Sequence, residues 1–225
     1  MAIKALIWDL DGTIIDSFAI YTDLVSELGA ELGLPAPSRQ DFLDNYHGAL
    51  DESIKGAFKG ALKDEDLGPF LQKFLDQQSD KYLTVEEHLI EDAVDLSRRA
   101  TQKGLKQVVV SNRDHIGRGH GSPRNIVANS SLKDHIHEVI CGEEAAGFRK
   151  PHPKVLGDLL ERWDLKPDEI LVIGDQHVDA QLALNLNAKA IIACRDGAEL
   201  AHAHKLDQNW RDHVTIVTSL KEVKL

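Results

Sequence analysis

Ile3-Lys4-Ala5-Leu6-Ile7-Trp8-Asp9-Leu10-Asp11-Gly12-Thr13-Ile14-Ile15-Asp16-Ser17 is the stretch on which the reading of this chain turns. Its first half, Ile3 to Trp8, is a short apolar run that suits a strand buried on both faces. The run ends in two carboxylates one residue apart, followed by glycine. Asp and Gly are poor strand formers, so the strand is expected to stop where the acids begin. In an open α/β sheet that carboxyl end is where ligands bind. A carboxylate at the strand tip can ligate a hard cation and attack an electrophile, and a second acid two residues on can give or take a proton. The same letters also suit an Asp-x-Asp-Gly turn or part of a calcium loop.

The 225 residues suffice for one large domain or for a core with a smaller companion. Apolar content of 42% and charged content of 28% are those of an ordinary globular chain. A net charge of −11 argues against a nucleic-acid surface and against an anionic membrane as partner. It leaves room for an anionic substrate, because a metal ion and one or two lysines reverse the local field. Cys141 and Cys194 are expected as buried free thiols rather than a disulfide. No apolar run reaches membrane-spanning length and the N-terminus carries no signal-peptide pattern, so the expected location is the cytoplasm.

From position 16 to 83 the pattern is helical, with no strand signal. Ile20, Leu24 and Leu28 recur every four residues, with Val25 and Leu32 on the same stripe, and Gly33 with Pro35-Ala36-Pro37 closes that helix. Ser38-Arg39-Gln40-Asp41 reads as a capping box, followed by apolar positions at Phe42, Leu43, Leu50, Ile54 and Phe58. Phe70, Leu71, Phe74 and Leu75 mark a further helix beyond Gly68-Pro69. Such a block after the first strand predicts an inserted helical subdomain. Thr84-Val85-Glu86-Glu87 reads as another capping box, opening a helix through Leu89, Ala93, Leu96 and Ala100 that stops at Gly104. Beyond it strands are predicted at 106–110, 138–141, 170–173, 190–193 and 214–217, with helices at 125–132, 153–163 and 180–185. That alternation implies a parallel sheet with right-handed crossovers.

Three further clusters carry polar residues at the ends of predicted elements. Val108-Val109-Val110 runs into Ser111-Asn112, where a hydroxyl and a backbone N–H suit phosphoryl oxygens and equally suit a turn. Lys150 lies in Arg149-Lys150-Pro151-His152-Pro153, a rigid setting for a point charge that binds phosphate, or simply for a solvated lysine before a helix. Leu171-Val172-Ile173-Gly174-Asp175 ends a third apolar run in an acid, and Asp179 follows four residues later, the spacing of one helical turn. Acids at a helix N-terminus also gain from its dipole without any ligand. His177 between them is assigned no role.

Taken together, the four stretches resemble, in order and spacing, the motifs of the haloacid dehalogenase (HAD) superfamily: Asp9 to Thr13, the strand ending at Ser111, Lys150-Pro151, and Asp175 to Asp179. The helical block resembles the C1 cap of phosphoglycolate-phosphatase-like members. The resemblance implies a Rossmann-like parallel sheet core of the α/β class at 1–15 and 84–225, with the helical cap at 16–83. It implies a Mg2+-dependent phosphatase acting on a small phosphorylated metabolite. Asp9 would form an aspartyl-phosphate and Asp11 would serve as general acid and then base. Mg2+ would sit on Asp9, Asp175 and the Asp11 carbonyl, and Ser111, Asn112 and Lys150 would hold the phosphoryl group. Thr13, Gly174 and Asp179 would support the site. An acid at position 11 points to phosphate esters rather than to dehalogenation. A phosphosugar mutase of the β-phosphoglucomutase type shares all four motifs, and a non-catalytic binding protein on the same scaffold is the reading from a different class. A monomer or small homo-oligomer is expected.

The chain departs from that pattern in three places. A Gly-rich basic loop follows Asn112 as far as Arg124, Asn187 stands where glycine is common, and no Pro-Gly turn precedes Glu86. In the loop, Arg118 and Arg124 are candidates for binding a second anionic group, or merely parts of a connector in which Ser122 caps the next helix. His47, in Tyr46-His47-Gly48, is a candidate substrate contact within the cap, or an exposed residue at a helix break.

Overall fold

The computed structural model describes residues 2–45, 50–114, 119–142, 144, 146–195, 210 and 212–225, with the side chain of Leu43 excepted. Tyr46, His47 and Gly48, and 115–118 with Arg118, lie outside the described residues. Six strands form one parallel sheet: β1 (Ala5–Trp8), β2 (Lys106–Val110), β3 (Glu138–Ile140), β4 (Ile170–Gly174), β5 (Lys189–Ala193) and β6 (Val214–Val217). Their spatial order is β3-β2-β1-β4-β5-β6. The order reverses at β1, which pairs with β2 on one side and β4 on the other, Trp8 lying opposite both Val109 and Ile173. Such a reversal opens a crevice beyond the carboxyl ends of the central strands.

Both faces of the sheet are covered, as the apolar runs require. Leu6, Trp8, Val109, Leu171 and Ile173 point to one core, shared with α5 (Glu91–Gln102) and α6 (Pro123–Ala128). Ala5, Ile7, Val108, Val110 and Val172 point to the other, against α7 (Leu159–Arg162) and α8 (His177–Asn185). Gln107, fully buried in the sheet, is satisfied: it accepts from the Trp8 indole at 3.0 Å and donates to the Ser97 carbonyl and Thr101 Oγ1, both at 2.9 Å.

Between β1 and β2 lie α1 (Ser17–Glu31), α2 (Arg39–Asn45), α3 (Leu50–Ala57) and α4 (Asp64–Lys81), followed by a 3-10 turn over Tyr82–His88. They enclose a third apolar cluster built on Leu24, Val25, Leu28, Phe42, Ile54, Phe58, Phe70 and Phe74. Asp16 caps α1 by accepting from the Ala19 N–H at 3.0 Å. The Ser38–Asp41 capping box forms, with the Ser38 N–H donating to Asp41 at 3.0 Å and the Asp41 N–H to Ser38 Oγ at 3.2 Å. Cys141 and Cys194 are buried and form no disulfide. Asn187, at φ 57°, occupies a left-handed position that asparagine tolerates better than most residues, which accounts for the missing glycine. Among the described residues no helix is long and apolar enough to cross a membrane.

Several local expectations are corrected. The helix placed beyond Gly68-Pro69 begins at Asp64, its first turn rich in acids that favour an N-terminus, and Pro69 lies inside it. Leu32 and Leu75, expected on apolar stripes, are exposed, Leu32 because it lies just past the last turn of α1. Thr84-Val85-Glu86-Glu87 does not open the long helix; α5 starts at Glu91. The reason is tertiary: Leu89 pairs as an isolated bridge with Ile15, the Ile90 N–H donates to the Ile14 carbonyl at 2.8 Å, and Glu86 accepts from the Ser131 N–H. The helix expected over 125–132 starts at Pro123, capped by Ser122, and ends at Ala128, where Ser130 turns back onto the Val127 carbonyl. The helix expected over 153–163 is divided at Gly157, whose φ of 54° no regular helix accommodates.

Candidate active site

The acids and cations of the four sequence motifs meet at the carboxyl edge of β2, β1 and β4. Asp9 directly follows β1, its N–H donating to the Ile173 carbonyl at 2.8 Å, which sets it level with the end of β4. Asp175 directly follows β4. The chain turns sharply after Asp9 because Gly12 takes φ 79°, and a side-chain carbon there would overlap the Asp175 carboxylate. Thr13 Oγ1 donates to Asp175 Oδ1 at 3.0 Å and orients it. Gly174 serves Asp179 in the same way: a Cβ at 174 would collide with the Asp179 side chain.

Asp175 and Asp179 converge for a different reason than helical spacing. Asp175 precedes α8, and Asp179 sits in its first turn, where its carboxylate accepts from the Gln176 N–H at 3.3 Å. Ligand oxygens of Asp9, Asp175 and Asp179 all lie within 4.8 Å of one another, and all three residues are buried. Lys150 reaches the cluster from the segment after β3. Its ammonium donates to Asp9 and, at 2.7 Å, to Asp179 Oδ1.

Three carboxylates around one lysine leave a surplus of negative charge in a dry site. Burial, reinforced by Asp179 and Asp11 and opposed by Lys150, pushes the Asp9 carboxyl up to about 7 from its ordinary 3.8. Burial works against the Lys150 charge too, but Asp179 and Asp9 outweigh it and hold the lysine above its usual range. The donor set fits a small hard cation. Oxygens on opposite sides of Mg2+ stand about 4.2 Å apart, comparable with the spread seen here, and such a charge offsets the surplus.

The carboxylate of Asp11 points elsewhere. It pairs with Arg113, two residues beyond Ser111. Ser111 Oγ accepts from the Arg113 N–H at 3.0 Å, leaving its own hydrogen for an outside acceptor. The Asn112 side chain clasps the backbone of Lys150, accepting from its N–H at 2.7 Å and donating to its carbonyl at 3.1 Å. Asp9, Asp11, Ser111, Asn112, Arg113 and Lys150 line a cleft of about 370 Å³ together with Phe18, Tyr21, Gln176 and Val178. Arg124 is not part of it: it is half-exposed and paired with Glu144. The described part of the basic loop packs instead on the helical segment, the His120 N–H donating to Ser79 Oγ at 3.0 Å.

The sequence reading missed two contributions. Arg113 stands nearer the end of β2 than the loop arginines singled out from the sequence. A second arginine, Arg195, follows β5 and donates to the Gly12 carbonyl at 2.9 Å while pairing with Asp92, so it braces the turn that carries Asp9 and Asp11. Nothing in the local sequence around Arg195 signals that contact.

Known proteins match most of this chain. Residues 6–193 fit the model of the haloacid dehalogenase-like hydrolases. This chain belongs to that family. It is therefore a hydrolase by family and resembles members named as phosphatases. It is 26% identical over 212 residues to pyrophosphatase PpaX of Bacillus cereus, covering 92% of this chain and 91% of that protein. It is 27% identical over 191 residues to phosphoglycolate phosphatase of Vibrio parahaemolyticus, covering 81% and 80%. Its fold is similar to that of CbbY from Rhodobacter sphaeroides in complex with xylulose-(1,5)bisphosphate, with a TM-score of 0.67 at 14% identity over 98% of this chain and 96% of that one.

Proposed function

We propose that this haloacid dehalogenase-like hydrolase cleaves phosphate monoesters of small metabolites, with Mg2+ as cofactor and an aspartyl-phosphate on Asp9 as intermediate. The observation that carries the reading is the meeting of Asp9, Asp175, Asp179 and Lys150 at one sheet edge, with Asp11 and Ser111 beside them in a cleft. The phosphatase names of relatives that match most of this chain support the substrate class.

Asp9 Oδ forms a bond to phosphorus as the bond from phosphorus to the ester oxygen breaks. Asp11 gives its proton to the departing oxygen. Water then attacks the phosphorus, its proton passes to Asp11, and the bond to Asp9 breaks, restoring both acids and releasing phosphate. Ser111 Oγ–H and the Asn112 N–H donate to the phosphoryl oxygens, and Lys150 balances their charge. A divalent cation on Asp9, Asp175 and Asp179 would supply the positive charge that keeps Asp9 ionised and draws electron density from phosphorus. The helical segment at 16–83 is the proposed cap, since Ser17, Phe18 and Tyr21 of α1 line the cleft together with the residues of the sheet edge. A cleft of this size suits a small leaving group. Two buried cysteines without a disulfide accord with a cytoplasmic setting.

The test is release of inorganic phosphate from a panel of phosphate monoesters, with Mg2+ and with chelator, for the parent and for Asp9→Asn and Asp11→Asn. Release that needs Mg2+ and is abolished in Asp9→Asn, together with acid-stable label trapped on Asp9, is the expected result. Isomerisation of a sugar phosphate without net phosphate release would replace the phosphatase reading with a mutase. Full turnover by Asp9→Asn would remove the covalent mechanism.

A further inference from the structure

Arg113 is a cation in the cleft to which the proposed reaction assigns no task. Its side chain is only 6% exposed. Nη2 donates to Asp11 Oδ1 and lies 3.3 Å from the Tyr21 hydroxyl, while Nη1 donates to the Gly121 carbonyl at 2.8 Å. The guanidinium centre stands 5.0 Å from the centre of the Tyr82 ring, which is itself buried. The Tyr21 hydroxyl accepts from Gln78 Nε2 at 2.9 Å. Contacts from α1, from the 82–88 turn and from the 119–121 turn therefore fix the guanidinium, and what remains of its donor fork falls on Asp11. An arginine buried on so many sides is a rigid template, because few rotamers remain open to it.

Asp11 has the opposite character. It lies in a turn after β1, its side chain is 29% exposed, and the cluster of Asp9, Asp175 and Asp179 does not include it. Without a partner, such a carboxylate would sample several rotamers in water. Proton transfer demands a fixed donor within hydrogen-bond reach of the leaving oxygen.

We infer that Arg113 is a positioning residue for Asp11: it anchors Oδ1, leaves Oδ2 to exchange the proton, and passes the placement of the helical segment to Asp11 through Tyr21 and Tyr82. This inference rests on the phosphatase reading. It assigns Arg113 to the acid rather than to the substrate.

The experiment uses Arg113→Ala, Arg113→Gln and Arg113→Lys, alone and combined with Asp11→Asn. Each is assayed on p-nitrophenyl phosphate, whose leaving group needs little protonation, and on an alkyl phosphate that the parent turns over. The expected result has four parts. For Arg113→Ala, kcat falls about 10-fold or more on the alkyl ester while KM stays within about twofold, and the loss on the aryl ester is smaller. Lysine recovers part of the loss. The double variant is no slower than Asp11→Asn alone. In metal-free denaturant unfolding, the effects of the two substitutions are non-additive. A rise in KM with kcat unchanged would make Arg113 a substrate-binding residue and overturn the inference. Additive losses in the double variant, or loss of near-ultraviolet circular dichroism in all three single variants, would overturn it as well. An active parent with unaffected variants refutes this inference alone. A parent that releases phosphate from no ester refutes the phosphatase reading beneath it.

Discussion

Replacing the proposed nucleophile, Asp9→Asn, is expected to stabilise the metal-free protein while abolishing turnover. Asp9 is buried among Lys150, Asp175 and Asp179, and burial is the largest influence on its carboxyl, raising it to about 7 from 3.8. Between about pH 4 and pH 7 the folded chain thus holds a proton on Asp9 that the unfolded chain has already released. Stability from this group is full below about pH 4, falls as the pH rises towards 7, and is flat above it. At pH 8 the ionised carboxylate costs the folded state about 4 kcal/mol relative to an unperturbed group. Asparagine keeps the shape without the charge. It gives up the attraction to Lys150, but Lys150 retains Asp179 at 2.7 Å. A net gain of about 1–3 kcal/mol at pH 8 is therefore expected, shrinking towards pH 5, with a rise in Tm of about 2–4 °C per kcal/mol. Urea unfolding of both proteins in chelator at pH 5 and pH 8 measures the difference. Adding Mg2+ should narrow or reverse it, because a ligand at a hundred times its Kd stabilises the protein that binds it by about 2.7 kcal/mol. A variant less stable than the parent at pH 8, or a difference independent of pH, would refute the account of a charge-strained site.

Three other outcomes follow from particular contacts. Asp92 accepts from Arg195 and Ser219 Oγ, each at 2.9 Å, and from the Leu220 N–H at 2.8 Å; burial opposes its charge, yet these partners hold it below the usual carboxylate range. Asp92→Ala should cost about 2–4 kcal/mol in thermal unfolding at pH 7, and the deficit should shrink as the pH falls below about 4, where the parent loses the same contribution. Gly174→Ala places a carbon against the Asp179 side chain and should lower kcat by about 10² or more with the circular dichroism spectrum preserved; undiminished turnover would show that Asp179 can move freely. Asn112→Ala removes both side-chain hydrogen bonds to the Lys150 backbone and should cost about 1–3 kcal/mol in denaturant unfolding, whereas an unchanged midpoint would mean the Lys150 loop holds itself.

The sheet was legible because its signal is strong and local. Ala5 to Trp8, Val108 to Val110 and Ile170 to Ile173 are apolar without interruption, and strands covered on both sides need that. Asp9, Ser111 and Asp175 were legible for a related reason: each stands just beyond such a run, where the sheet presents its ligand edge, whereas Lys150 was marked by the prolines that follow it in its loop. Helix starts were less so. Thr84 and Glu87 have the letters of a capping box, but long-range pairing of Leu89 with Ile15 took the segment for another purpose. The partner of Asp11 was beyond local reading. Arg113 and Tyr82 lie far along the chain from Asp11, and only the packing of α1 and the 82–88 turn on the sheet edge brings them together.

The points where the chain leaves β1 for the helical segment and returns from it lie side by side. The Asp16 N–H donates to the His88 carbonyl at 2.9 Å, and Ile15 is bridged to Leu89. The seventy-odd residues between them thus enter and exit through one stitched doorway, and the sheet does not register how much chain lies beyond it. Closing a short linker across two points already in contact adds little entropy cost, since that cost grows only with the logarithm of length. Grafting a foreign helical block, or a tight turn, between residues 16 and 88 should leave the six-stranded sheet able to assemble. Modularity of that kind lets a lineage exchange the helical segment that flanks the cleft while the acids at the sheet edge stay where they are.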